Sequence, residues 1–205
     1  AELAHRHGFW IVEDGPYRRL RYWGEDVPTL LSLAPSRVLH MSSFSKILAP
    51  GLRVAWILGP APIVKQLALA KETADLCTST LSQKLILGFL RRGLMEAQVE
   101  RARTFYEHKA RLMQAGLEAH FSGIARWTAP RGGLFLWLEL FNKQIDTLDL
   151  VETSAAEDKV AFIPGKPFFV DGRGADCLRL SYSNVTDDNI ALGLEKLSRR
   201  IRAAS

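Results

Sequence analysis

Three short apolar runs constrain this chain most: Phe9-Trp-Ile-Val12, Arg37-Val-Leu-His-Met41 and Arg53-Val-Ala-Trp-Ile-Leu58. Each is too short for a buried helix and carries little polar alternation, so each reads as a strand covered on both faces. Loop chemistry bounds them: Glu13-Asp14-Gly15-Pro16, Ser42-Ser-Phe-Ser-Lys46, the Pro50-Gly51 turn and Gly59-Pro60. From Pro62 the period becomes helical. Ile63, Leu67 and Ala70 share one face, and Leu81, Leu85 and Phe89 begin a second helix that ends near Gly93. Covered strands need helices on both sides of their sheet, so the pattern predicts an α/β fold with a mixed, mostly parallel sheet.

A long helix is expected from about Leu94 to His120, spanning roughly 40 Å at 1.5 Å per residue, enough to link two domains. Beyond it the pattern turns α+β. Two strands flank Pro130-Arg-Gly-Gly133, a helix covers 148–158, strands fall at 160–163 and 178–182, and a last helix runs from an Asp187 cap to Arg202. The expected division is 1–100, part of a larger α/β domain, and 101–205, a small α+β domain that opens with the long helix. Ala1–His7 reads as the end of a helix with Gly8 as its C′ residue. No first turn precedes it, so the expectation is a longer parent protein that has lost its N-terminal part.

Composition removes several function classes. Of 205 residues, 47% are hydrophobic and 24% charged, the balance of a globular chain. No apolar run approaches the ~18 residues of a membrane span, since Glu139 stops Leu134–Leu138, and Phe9–Val12 is too short for a secretory leader. Cys77 and Cys177 lie too far apart in sequence to suggest a disulfide framework, which favours a cytoplasmic location. The net charge of +5 comes from basic pairs scattered along the chain, Arg18-Arg19, Arg91-Arg92 and Arg199-Arg200. That is a solvated surface, with no nucleic-acid footprint. The histidines lack metal-ligand spacing, so no metal is expected, and Asp171–Asp176 is turn chemistry.

Ligands of open α/β sheets bind beyond the carboxyl ends of strands. Asp14 stands past one such end with Tyr17 three positions on; Ser43, Ser45 and Lys46 follow the second strand, and Arg53 returns after the Pro-Gly turn. Singly, each has an ordinary reading as a turn former, a loop hydroxyl or a solvated cation. Together they suit one ligand, pyridoxal phosphate. Lys46 supplies an amine for its aldehyde, Ser43, Ser45 and Arg53 supply donors for its phosphate, Asp14 holds the pyridinium proton, and Tyr17 bonds the ring hydroxyl.

The stretch Ser43-Phe-Ser-Lys-Ile-Leu-Ala-Pro-Gly-Leu-Arg53 resembles the cofactor-lysine motif of fold-type I, class I/II aminotransferases. Asp14-Gly-Pro-Tyr17 is similar to their D-x-x-Y element. Pro130–Leu138, Phe162–Phe169 and Cys177–Ser183 resemble small-domain segments of the same family, in the same order. Within the family the likeness is greatest to the 2-aminoadipate and kynurenine aminotransferases. The resemblance implies that Lys46 is the Schiff-base lysine, Asp14 the pyridinium partner, Tyr17 the ring-oxygen contact and Ser43, Ser45 and Arg53 the phosphate ligands. It further implies that Arg179 clamps the substrate α-carboxylate. Buried in an apolar strand, that guanidinium needs an anion in any case. The implied activity moves an amino group between an amino acid and a 2-oxo acid by a ping-pong route, in a homodimer.

The likeness covers only the family's C-terminal half. Its Gly-containing phosphate loop, its ring-stacking aromatic and its ring-oxygen Asn have no counterpart in this sequence. Two other readings compete. One is the cofactor-binding effector domain of a transcriptional regulator, against which Asp14-Gly-Pro-Tyr17 stands where that group more often has D-Y-D-x-E-F. The other is a non-catalytic fragment that only folds or binds a partner.

Overall fold

The computed structural model describes residues 1–204. The chain divides into two compact units, Ala1–Arg103 and Thr104–Ser205. In the first unit, helix α1 (Glu2–His7) stops where Gly8 takes a left-handed conformation, φ 72°, and its N–H bonds Ala4 O. Only glycine adopts that backbone freely, so the residue itself ends the helix.

Strand β1 is Ile11–Asp14, two residues later than the apolar run suggests. Phe9 and Trp10 lie outside it and are exposed. The shift is possible because Glu13, in mid-strand, has partners. Its carboxylate accepts the Leu30 and Leu31 amides at 2.8 and 3.2 Å and meets His40 Nδ1 at 2.9 Å. Those amides open α2 (Leu30–Leu33), a short helix also capped by the Thr29 side chain, which accepts from Ser32 N. Burial pushes the Glu13 pKa up, but the Leu30 amide, His40 and the Leu31 amide outweigh it and hold it below the usual value.

β1 runs parallel to β2 (Val38–Ser43), pairing Ile11 with Val38 and Asp14 with Met41. A 3₁₀ turn at Pro50–Leu52 leads to β3 (Ala55–Leu58), antiparallel to β2. The sheet is therefore mixed, in the order β1-β2-β3. Arg53 is not part of β3, because it takes a left-handed backbone and caps the 3₁₀ turn. Strand burial alternates rather than being complete: Val12 and Leu58 remain 58% and 51% exposed. The helices α3 (Ala61–Asp75) and α4 (Thr80–Arg91) match the helical period, and α4 is capped by Ser79. The unit's core gathers Leu20, Tyr22, Val38, Ile47, Ile86, Met95 and Val99.

Helix α5 (Leu94–Phe121) contains the boundary between the units. The second unit holds an antiparallel sheet, β4-β5-β7-β6, built from β4 (Ala125–Trp127), β5 (Phe135–Leu140), β6 (Ile163–Pro164) and β7 (Cys177–Ser181). Period-two alternation in β5 buries Leu136, Leu138 and Leu140 on one face and turns Phe135, Trp137 and Glu139 to the other. Between β5 and β6, α6 (Thr147–Thr153) continues as a π-helical turn over Ser154–Asp158. The strand expected at 160–163 is instead the two-residue Ile163–Pro164, the only part of this segment that pairs with β7.

The last helix, α7, spans Asp187–Ala203. Its N-cap is Thr186 rather than Asp187. The Asp187 carboxylate is engaged elsewhere, accepting from Lys109 Nζ at 2.6 Å and meeting His108 Nε2 at 2.7 Å. Those two contacts hold the Asp187 pKa below the ordinary carboxylate range, Lys109 contributing most. Among the described residues no helix is long and apolar enough to cross a membrane.

Candidate active site

At the carboxyl end of the first sheet, the β1–β2 pairing continues into the loops. Gly15 N donates to Met41 O at 2.9 Å and Ser42 Oγ donates to Gly15 O at 3.2 Å, so the segment after Asp14 is tied to β2. Asp14 itself is exposed, and its carboxylate forms no hydrogen bond or ion pair among the described residues. Glu13, one position earlier, points to the other face of the strand and is fully occupied.

The Ser42–Arg53 connection is held by its own backbone. Phe44 N donates to Val54 O at 3.1 Å, and Leu48 N donates to Phe44 O at 2.8 Å. Ile47 is buried, and the Phe44 ring lies 4.6 Å from that of Trp56. Anchored so, the loop brings three of the expected groups together. Ser43 Oγ lies 2.8 Å from Ser45 Oγ and accepts the Ser45 amide at 3.0 Å. Arg53 Nη1 reaches Ser45 Oγ at 3.5 Å and Pro50 O at 3.3 Å. Both are long bonds on an exposed side chain, so most of the guanidinium's donor capacity is free. Arg53 holds this position with φ 52° and ψ 40°, a left-handed conformation that costs a side-chain-bearing residue about 1–2 kcal/mol.

Lys46 Nζ sits 5.7 Å from the centre of the Tyr17 ring. The ammonium makes no hydrogen bond or ion pair among the described residues. The loop edge thus carries an uncommitted amine, an uncommitted carboxylate, a phenol ring, two hydroxyls and a guanidinium. No group of three metal-ligating side chains occurs among the described residues.

Arg179 lies in the second unit, on β7 opposite Trp137 of β5 and Ile163 of β6. It is half-buried, and aromatic rings surround it. Its guanidinium carbon is 4.2 Å from the Phe135 ring centre and 5.1 Å from that of Phe168. Trp137 meets Phe168 edge-on at 5.3 Å. These rings stack on the guanidinium, which forms no hydrogen bond or ion pair among the described residues. Phe135 and Phe168 went unrecognised in the sequence as groups around Arg179. The signal that could have found Phe135 is strand alternation, which puts it on the Trp137 face.

The chain matches the model of the family described as aminotransferase class I and II over residues 1–197, and it belongs to that family. It is 38% identical over 205 residues to the 2-aminoadipate transaminase of Thermus thermophilus, covering 98% of this chain and 51% of that protein. To the mitochondrial kynurenine/alpha-aminoadipate aminotransferase of Rattus norvegicus it is 34% identical over 209 residues, covering 100% of this chain and 49% of that one. A solved structure of the alpha-aminoadipate aminotransferase of Thermus thermophilus, complexed with N-(5'-phosphopyridoxyl)-L-leucine, superposes with a TM-score of 0.92. It is 37% identical and covers 98% of this chain and 52% of that one. The HTH-type transcriptional regulator NorG of Staphylococcus aureus is also similar, at 30% identity over 195 residues, covering 95% of this chain and 43% of that protein. The chain spans about half the length of the curated relatives it matches.

Proposed function

We propose that this chain carries the cofactor-lysine side of a pyridoxal-phosphate-dependent aminotransferase acting on an amino acid and a 2-oxo acid. The observation that carries the reading is the pairing of two uncommitted groups, the Lys46 amine and the Asp14 carboxylate, with the Ser43–Ser45–Arg53 cluster on one loop edge. The donor set fits pyridoxal phosphate. An unpaired carboxylate suits a protonated ring nitrogen, and two hydroxyls beside a half-free guanidinium suit a phosphate. When bound, the cofactor supplies an electron sink for the carbanion that forms at the substrate Cα.

Each residue then has a stated task. Lys46 Nζ would hold the cofactor by its aldehyde carbon and, as a free amine, would take up the proton lost from the substrate Cα. Asp14 keeps the ring nitrogen protonated, and Tyr17 bonds the ring oxygen. Ser43, Ser45 and Arg53 hold the phosphate. Arg179 binds the substrate α-carboxylate, with Phe135 and Phe168 fixing its plane. An amino acid leaves as a 2-oxo acid before a second 2-oxo acid enters, which gives ping-pong kinetics. Further parts of the same proposal are a homodimer, a cytoplasmic location consistent with the two free cysteines, and a small-domain role for the second unit.

The likeness to NorG favours a second reading, a cofactor-binding effector domain, at lower identity than the aminotransferase likenesses. Borohydride reduction in the presence of pyridoxal phosphate, followed by peptide mapping, tests the site common to both. The label is expected on Lys46, and a label on Lys65, Lys71 or Lys84 instead overturns the assignment. Transaminase turnover by the longer protein separates enzyme from effector.

A further inference from the structure

The loop that follows β1 and the first turns of α5 enclose a polar cavity of about 310 Å³, which shares no residue with the cofactor groups proposed above. The guanidiniums of Arg18, Arg19, Arg21 and Arg103 line it. Three of them have carboxylate partners. Arg18 is 3.8 Å from Asp26 and also bonds Val27 O, Arg19 bonds Glu96, and Arg103 meets Glu100 at 3.3 Å. Arg103 additionally donates from Nε to Arg21 O at 2.8 Å, which fixes the Arg21 backbone against α5.

Arg21 has no such partner. Its Nε is buried, without a hydrogen bond, the only side-chain nitrogen or oxygen of that kind among the described residues. Nor does Arg21 form an ion pair among them. A buried N–H left unmade bears its full desolvation penalty, and here the group is charged. With the other three arginines each matched by a carboxylate, the Arg21 charge is the one left uncompensated. An oxyanion in the cavity supplies the countercharge, and its two oxygens match the paired Nη groups of the Arg21 guanidinium, the Nε itself having no exposed surface.

We propose that this cavity binds a small oxyanion, a phosphate or carboxylate group, held by the Nη groups of the Arg21 guanidinium. The three paired arginines are balanced by Asp26, Glu96 and Glu100, so Arg21 supplies the net positive charge of the wall. The site does not depend on the cofactor reading. Phosphate would also enter the Ser43–Ser45–Arg53 cluster if that reading holds, so the two sites must be separated.

Equilibrium dialysis of the full 205-residue chain with radiolabelled inorganic phosphate, at ionic strength fixed by chloride, does so. Arg53→Gln leaves the Arg21 site in place, and phosphate binding is expected to persist in it. Arg21→Gln is expected to weaken that site by roughly tenfold or more, the worth of a charge-assisted bidentate pair. Arg21→Lys, which keeps the charge and loses the fork, falls between. Competition with acetate identifies the source: displacement at similar concentration marks a carboxylate site, and poor displacement marks a phosphate site, both within the proposal. Unchanged phosphate binding in Arg21→Gln and Arg21→Lys, or none in Arg53→Gln, overturns it.

Discussion

Replacing Arg53 by glycine and, separately, by alanine divides its backbone from its side chain. The residue sits at φ 52° and ψ 40°, where a Cβ costs about 1–2 kcal/mol. Glycine escapes that cost but loses more freedom on folding, about 0.4–1 kcal/mol. The net difference favours glycine over alanine by about 0.5–1 kcal/mol. The guanidinium adds little to stability, since its bonds of 3.3 and 3.5 Å are long and exposed. Arg53→Ala is therefore expected slightly below the parent and Arg53→Gly at or above it. At about 2–4 °C per kcal/mol for a chain of this size, the two variants should melt roughly 1–4 °C apart. Both lose the fork facing the proposed phosphate, so both should bind pyridoxal phosphate about tenfold to a hundredfold less tightly. Urea unfolding and fluorescence titration of the cofactor read the two effects. An alanine variant as stable as the glycine one would refute the strain argument, and undiminished cofactor affinity would remove Arg53 from the site.

Gly165→Ala would place a Cβ 2.4 Å from Cys177 Cβ on β7 and 2.7 Å from the backbone Gly174 O, neither of them the far end of a flexible side chain. A loss of about 3 kcal/mol or more is expected, seen as a melting point lower by roughly 6–12 °C; a shift under a degree would disprove the clash. Acid should destabilise the chain. Glu13, Glu139, Asp158 and Asp187 all have folded pKa values below their ordinary ones, so their contribution is complete above the usual carboxylate range and is lost as pH falls through it. The urea midpoint should change little between pH 7 and about 5 and fall below about pH 4; a flat profile to pH 3 would contradict this. The exposed Val12, Leu33, Leu58, Leu81 and Leu85 of the first unit should make the 205-residue chain self-associate, because such apolar surface favours burial at about 25 cal/mol per Å². Sedimentation velocity showing a concentration-independent monomer would refute it.

Much of the fold is readable wherever one residue decides a local outcome. Gly8 ends α1, and the helical periods of α3 to α5 stand in the sequence. The misplaced parts are those decided by distant partners. β1 extends over Glu13-Asp14 because amides seventeen and eighteen residues away, and His40, take up the Glu13 carboxylate. The cap of α7 falls to Thr186, while the Asp187 carboxylate is taken by Lys109, which is far off in sequence and close in space. In the candidate site, residue types and order were legible, because Ser43-Phe-Ser-Lys46 and Arg53 share one connection. The left-handed backbone at Arg53 and the rings around Arg179 were not, since the first follows from a 3₁₀ turn and the second from strand register.

Strand parity explains how one short strand can serve both stability and chemistry. Glu13 and Asp14 are adjacent, of like charge, and on opposite faces of β1. Glu13 pairs in register with His40 and spends its oxygens on α2, fixing the strand against its neighbour. Asp14 pairs with Met41 and keeps its carboxylate unengaged at the strand's end. Had the register slipped by one residue, the two would exchange faces. The uncommitted acid would then lie under α2 and the bonded one at the open edge. If Asp14 holds the pyridinium as proposed, Glu13→Gln is expected to weaken cofactor binding through the strand register, and unchanged cofactor affinity in that variant would remove Glu13 from this role.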